Sequence, residues 1–216
     1  MTGMARWSPL SGVVFVAAWV IAIAITSGSP SSDDSDTSIV NYYNSSSHRS
    51  KDIIALFCVL IGLLFFIWFL SALRTRLARA EGKAGGLTAA AFGAGLVMTT
   101  LWFTAAAMFT ASSVTRDDTN QFHLDPNTFR MLNDVGFDFW VGGTTIALVT
   151  VVATALLSLR AGLLPKWFAW LSFVVAATML VAFFFIPIVI WLGWVLLVSI
   201  LLAWKPADAP AMDAAT

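Results

Sequence analysis

Residues 125–145 read DPNTFRMLNDVGFDFWVGGTT and lead from a polar segment into a strongly apolar run. Arg130, Asp134 and Asp138 follow one another at intervals of four, so they share one face of a helix. Thr145 extends that face further into the apolar run. A polar stripe on a membrane helix faces other protein or water, because facing lipid is costly. The stretch therefore predicts a membrane helix with one protein-facing or water-facing side.

The composition of the whole chain agrees with a membrane protein. Of its 216 residues, 59% are hydrophobic and only 11% are charged, whereas soluble domains average about 25% charged residues. Lipid is therefore the expected solvent for much of the surface. Cys58 is the single cysteine and has no partner for an internal disulfide.

Apolar runs separated by polar segments predict an all-α fold, a polytopic bundle of six transmembrane helices. Residues 167–204 carry no charge, and as one helix they would extend about 57 Å, too far for a single crossing. We place a turn at Ile186-Pro187, and five crossings is the alternative if this run is one bent helix. The predicted spans are 10–27, 53–73, 87–112, 136–159, 167–185 and 188–204.

Polar segments between the spans carry helix start and stop signals. Residues 36–43 predict a short helix on the outer membrane surface, with Ile39 and Tyr43 on one face. Residues 74–83 are interpreted as a basic loop, and the tail 206–216 as disordered.

The fourth predicted helix has its own boundary signals. Asp125-Pro126 has the pattern of a cap and a first-turn proline, and Gly162 is placed to end the helix before Pro165 starts the next. A helix over 126–159 would be about 50 Å long, so it either extends into the headgroups or breaks at Gly136. At the start of the chain, a cleaved signal peptide with Ala22-x-Ala24 as its site is the alternative to a first span.

Charge fixes the predicted orientation. One side of the predicted bundle carries eight basic and three acidic residues, and the other carries four basic and nine acidic residues. The positive-inside rule then places both termini in the cytoplasm of a cell membrane. Tryptophans near the basic side, Trp68, Trp167, Trp170 and Trp204 among them, match an interfacial aromatic belt.

Two clusters are candidates for a polar site. In the first, Asp138 with Asp134 and Arg130 binds a cation or relays protons, or forms a structural ion pair; we expect Asp138 to be at least half buried with a polar partner. In the second, threonines of the third and fourth predicted helices line a cavity or bond to their own carbonyls. These threonines are Thr99, Thr100, Thr104, Thr144 and Thr145.

No catalytic, nucleotide, metal or nucleic-acid motif is found, so we expect no cofactor and no enzyme. Small-residue pairs, Ala89 with Gly93 and Ala91 with Gly95, allow close helix contact within the bundle or between molecules. The favoured function is a non-enzymatic accessory subunit acting through contacts with itself, as a homo-oligomer, or with a membrane partner in the lipid bilayer. The alternative is a small transporter or ligand- or lipid-binding protein with an outward polar cavity between helices three and four.

Three short motifs resemble a known family. They are Arg6-x-Ser8-x-x-Ser11-Gly12, Asn133-Asp134-Val135-Gly136-Phe137 and Gly162-Leu163-Leu164-Pro165-Lys166-Trp167. In layout and in these motifs the chain resembles the DUF4386-like group of small bacterial membrane proteins. The resemblance implies a six-helix integral membrane protein of bacterial origin. The group has no assigned activity, so it implies no functional residue.

Overall fold

A computed structural model describes residues 8–82, 85–119 and 121–204, which are helical with connecting turns and contain no strand. A short 3-10 turn, Ser8–Leu10, precedes the first helix. The helices are α1 (Ser11–Ile25), α2 (Asp36–Asn44), α3 (Ser46–Glu81), α4 (Gly86–Asp118), α5 (Pro126–Ala161), α6 (Lys166–Met179) and α7 (Phe185–Trp204).

The chain is a multi-pass membrane protein by the length and composition of its helices. Five helical stretches are long and apolar enough to cross a bilayer, and α6 is a shorter apolar helix of 14 residues. The five stretches are Ser8–Ile25, Ser46–Glu81, Gly86–Asp118, Pro126–Ala161 and Phe185–Trp204.

Six helices form a closed ring in the order α1, α3, α4, α5, α6 and α7, with each packed against the next and α7 back against α1. The centre of the ring is filled by an aromatic plug, which we define as Phe15, Phe66, Trp102 and Trp191. Each is at most 1% exposed, and the ring centroids of Trp102 and Trp191 lie 5.2 Å apart. The plug closes the middle of the bundle.

Two predicted boundaries were wrong. Residues 74–81 are not a loop, because α3 continues to Glu81. Their Ala, Leu and Arg residues are good helix formers, and Leu77 is buried. The first residue able to stop the helix is Gly82, whose φ is +74°.

The turn before the last helix also lies earlier than predicted. It occupies residues 180–184, and Pro187 lies in the first turn of α7. A proline in a first helical turn loses no hydrogen bond, since those N–H groups have no partner within the helix. Pro187 therefore helps to begin α7 and does not form the turn.

Other local predictions are confirmed. Asp125 caps α5 by accepting a hydrogen bond from the Thr128 amide at 3.0 Å, and α5 runs unbroken through Gly136 to Ala161. Gly162 ends α5 in the left-handed conformation. The predicted tail, 206–216, and Lys83 of the basic segment lie outside the described residues.

Candidate functional site

Arg130 does not pair with Asp138 but holds the segment that joins α1 to α2. We call residues 26–35 the strap. The guanidinium of Arg130 donates to the carbonyls of Ser32 at 3.0 Å and Asp34 at 2.9 Å. It also forms an ion pair with Asp36 at 2.7 Å. These contacts fix the strap to the first turns of α5.

Asp134 binds the same strap. Its carboxylate accepts a hydrogen bond from the Ser32 hydroxyl at 2.8 Å, and the Asn133 amide donates to that hydroxyl at 3.0 Å. The predicted polar stripe therefore does face protein over its first half. Its role there is to anchor the strap.

Asp138 departs from the prediction. Its side chain is exposed, and no hydrogen bond or ion pair joins it to a described residue. The strap crosses α5 near Asn133 and Asp134, and the donors of Arg130 already bind strap oxygens. Asp138, one turn further along, lies beyond these contacts.

None of the predicted threonines lines the cavity described below, and all five have hydrogen-bond partners within the bundle. Thr100, Thr104 and Thr144 each donate to the carbonyl four residues earlier, at 3.2, 3.0 and 2.9 Å, and Thr99 does the same to Gly95. Thr145 instead donates to the Met179 carbonyl at 3.4 Å, which links α5 to α6. The structural interpretation of these side chains is the one that the hydrogen bonds support.

Substitution of Arg130 tests whether its side chain anchors the strap. We expect Arg130→Gln to speed hydrogen–deuterium exchange of amides 34–39 at least about ten-fold, because hydrogen bonds to charged groups contribute about 1.5–3 kcal/mol each. The control is Lys51→Gln, which removes one exposed positive charge from the same end of the bundle. Equal exchange in both variants would contradict the anchoring role.

The most unusual polar residue is Asp52, which the sequence analysis counted only as a charge. It lies in the second turn of α3 and is 3% exposed. Its carboxylate accepts hydrogen bonds from the hydroxyls of Ser113 at 2.6 Å and Tyr42 at 2.9 Å. A weaker bond from Ser29 of the strap measures 3.3 Å. Three different elements therefore place hydroxyl groups on one buried carboxylate.

No basic side chain forms an ion pair with Asp52 among the described residues. The basic residue nearest in sequence on the same face, Arg49, forms an ion pair with Asp117 at 2.7 Å. It also donates to the Tyr43 carbonyl at 2.8 Å. A buried carboxylate is costly unless its charge is compensated, and the hydroxyls of Ser113, Tyr42 and Ser29 provide such compensation here.

Asp52 lines a cavity of about 320 Å³ whose wall is formed by α1, α3, α4, α5 and the strap, with Tyr43 of α2 and Phe185 of α7. Most of the wall is apolar or aromatic, and the polar part lies at the strap. The lining residues include Trp19, Ala22, Ser29, Asp52, Val59, Ala105, Ala106, Phe109, Thr110, Phe129, Asn133, Trp140 and Phe185. None of the predicted site residues is among the lining residues.

The aromatic plug closes this cavity on the side away from α2. Trp102 of the plug lies one turn below the lining residues Ala105 and Ala106, and its ring centroid is 4.3 Å from that of Trp19. The cavity therefore ends inside the bundle and does not cross it. This geometry is that of a binding pocket at one end of the bundle.

A scan against protein-family models gives no match, and no curated protein and no solved structure is significantly similar to the chain. The resemblance to the DUF4386-like group therefore stays a prediction.

Burial at this site also changes the acidity of the two tyrosines. Burial raises the pKa of Tyr42 from 10.0 to about 12, and the negative charge of Asp52 adds to the rise. Burial raises the pKa of Tyr43 as well, again with a contribution from Asp52. Both hydroxyls therefore stay protonated well beyond the usual range, and Tyr42 remains a donor to the carboxylate.

The two tyrosines are the only ones in the chain, so an absorbance titration of tyrosinate reports on this site alone. We expect little tyrosinate in the folded protein at about pH 11, where an ordinary tyrosine is mostly ionised. Because the folded pKa of Tyr42 is raised, its stabilising effect is complete below pH 10 and is lost as the pH rises through about 12. The unfolded protein serves as the control. A folded-state midpoint near 10 would contradict the buried network.

Proposed function

We propose that the protein binds a small, mostly apolar molecule in the cavity at the α2 end of a membrane bundle. The observation that carries the proposal is the buried carboxylate of Asp52 on the wall of an aromatic cavity of about 320 Å³. Binding sites for small molecules are commonly apolar cavities of about 300–1,000 Å³ with a few polar groups. A closed inner end favours binding over conduction. No catalytic residue is proposed.

A cavity-filling substitution tests the proposal. We expect 2-phenylethanol, a small neutral aromatic probe, to raise the unfolding midpoint of the wild type by several degrees, because a ligand that binds only the folded state stabilises it. Ala106→Phe fills the cavity and should abolish that rise. The control is Ala90→Phe, the same change at an exposed position of the same helix. A probe that stabilises neither the wild type nor the control, at any concentration that detergent tolerates, would overturn the proposal.

The topology we propose has six crossings, with both termini in the cytoplasm and the α2 end outside. Support comes from the charge asymmetry and from α6, which packs along α5 and buries Phe168 and Ser172 completely. The exposed apolar turn, residues 180–184, fits lipid at shallow depth.

Cysteine labelling tests this topology in a Cys58→Ala background. An impermeant reagent applied from outside should label Ser46→Cys but neither Lys83→Cys nor Met212→Cys. Labelling of Met212→Cys from outside would show five crossings, and labelling of Lys83→Cys from outside would show the opposite orientation.

A second candidate function is an accessory role through contacts of α4. Ala89, Gly93, Val97, Thr100 and Thr104 lie on one face of this helix, and none of them is buried. A side chain built at Gly93 would touch nothing within 4 Å, whereas one at Gly95 would lie 2.6 Å from Leu70. The first small-residue pair, Ala89 with Gly93, is therefore free for a second copy or a partner.

Native mass spectrometry in detergent tests the accessory role. If α4 forms a homodimer, Gly93→Leu should reduce the dimer fraction, and Gly142→Leu, at another open glycine, should not. If the wild type is already a monomer, the α4 surface does not form a homodimer, and ligand binding is the function to pursue.

A further inference from the structure

We infer that the cavity takes an organic cation, a protonated amine on a small apolar or aromatic body. This inference rests on the proposed function, since it names the ligand class of the same cavity. It is carried by three features of the wall: hydrogen-bond acceptors left open around Asp52, a negative charge with no ion-pair partner among the described residues, and aromatic rings elsewhere on the same wall.

The hydroxyls around Asp52 have already used their protons. Ser113 and Tyr42 donate to the carboxylate. Ser29 lies 2.9 Å from the Tyr42 oxygen and 3.3 Å from the carboxylate, and its one proton serves these acceptors. A carboxylate has about four acceptor positions and each hydroxyl oxygen about two. Acceptor positions therefore remain at this end, and a ligand that donates hydrogen bonds can fill them.

Three further hydroxyls of the polar wall have also used their protons. Thr26, Ser27 and Thr110 donate to the carbonyls of Ala22, Ala24 and Ala106, at 2.9, 3.0 and 2.8 Å. Among the described lining residues, the unused donors are the Tyr43 hydroxyl, one amide proton of Asn133 and the buried indole N–H groups of Trp19 and Trp140. Neither indole N–H is exposed to solvent, and a ligand carboxylate or phosphate would face the negative charge of Asp52 on the same wall.

The charge of Asp52 decides between a neutral donor and a cation. Arg49 is one turn away, and Asp117 and the Tyr43 carbonyl already occupy it. A carboxylate in a weakly polar environment attracts a cation far more strongly than it would in water. An ammonium group with its own N–H donors satisfies both the charge and the open acceptor positions.

The rest of the cavity favours a ligand whose ammonium group is attached to an apolar or aromatic part. Trp19 and Trp140 lie on the wall with their rings nearly parallel, 8° apart, and Phe109 stands edge-on to Trp140. Aromatic rings pack against the apolar part of a ligand. A bare inorganic cation would leave most of the apolar volume unused.

Calorimetric titration of the full-length protein in nanodiscs tests the inference with three probes of similar shape. They are 2-phenylethylammonium, neutral 2-phenylethanol and anionic 3-phenylpropanoate. We expect the ammonium to bind at least about ten-fold more tightly than the alcohol, since one desolvated charge pair contributes about 1.4 kcal/mol or more. The anion should show no binding.

Variants then locate the charge that selects the cation. Asp52→Asn should remove the ten-fold preference for the ammonium. Asp33→Asn, which removes one exposed negative charge from the strap, should leave it unchanged. If Asp52→Asn fails to fold, the comparison of the three probes on the wild type still decides.

The outcomes separate the two proposals. Equal binding of alcohol and ammonium in the wild type would overturn the cation inference and leave the ligand cavity standing. Tight binding of the anion would overturn the inference as well. No binding of any probe would overturn both proposals.

Discussion

Gly143→Leu is expected to destabilise the bundle by about 3 kcal/mol or more, at the upper end of what overpacking a core costs. Gly143 faces α4, where an added Cβ would lie 2.6 Å from a Trp102 ring carbon and 3.2 Å from Leu101 Cβ. Carbon atoms in contact prefer separations of about 3.5–4.0 Å. Trp102 belongs to the aromatic plug and cannot move aside, because it is fully buried.

The neighbouring glycine supplies a matched control. A Cβ at Gly142 would meet nothing within 4 Å, so Gly142→Leu carries the same chemical change without the clash. Thermal unfolding followed by monodispersity in detergent should show a large loss for Gly143→Leu alone. Equal midpoints for the two variants would mean that α4 and α5 do not approach each other as closely as described.

Asp52→Ala is the second change with a large expected effect. It removes the acceptor shared by Tyr42, Ser113 and Ser29, and it leaves their hydroxyls without that partner. Buried polar groups that lose their partners cost about 1–3 kcal/mol each, while removal of a buried charge offsets part of that loss. We expect a net destabilisation of roughly 2–4 kcal/mol, measured by thermal or denaturant unfolding.

The control for this change is Asp33→Ala, at an exposed carboxylate of the strap. A surface substitution of this kind changes stability by at most about 0.5 kcal/mol. A variant Asp52→Ala that is as stable as Asp33→Ala would contradict the network. The tyrosinate titration of Asp52→Ala gives a second measurement, since loss of the negative charge should lower the pKa of Tyr42.

Much of the fold could be predicted from local sequence. A helix that crosses a bilayer needs a long apolar run, and glycine or proline at the end of that run stops the helix. Asp125 and Pro126 begin α5, and Gly162 ends it in the left-handed conformation. These effects depend on the local backbone and need no tertiary contact. Residues 74–81 were misjudged for a related reason: a helix can leave the apolar run and continue through Arg and Ala. The apolar length of a span is a lower bound on its helix.

The site could not be predicted in the same way, because its residues meet only in the folded chain. The partners of Asp52 lie 10, 23 and 61 residues away in sequence. One local signal existed: Asp52, Ala55, Val59 and Phe66 recur at helical spacing, and Ala55, Val59 and Phe66 are apolar. A carboxylate that continues an apolar helix face into the bundle indicates a buried charge.

The stripe on α5 shows the opposite limit. Its periodicity predicted a side that faces protein or water, and Arg130 and Asp134 contact the strap. It could not show that the contact is the strap, nor that the contact ends before Asp138. Only the path of residues 26–35 across the helix fixes that point.

The most direct test of the ligand cavity is its accessibility from outside the membrane. In a Cys58→Ala background, Ala106→Cys places a thiol on the cavity wall, and Ala153→Cys places one in the packed core, where that alanine is 2% exposed. A small impermeant thiol reagent applied to the outer face of intact cells should modify the first thiol and not the second. Equal protection of both thiols from that face would contradict a binding cavity open at the α2 end.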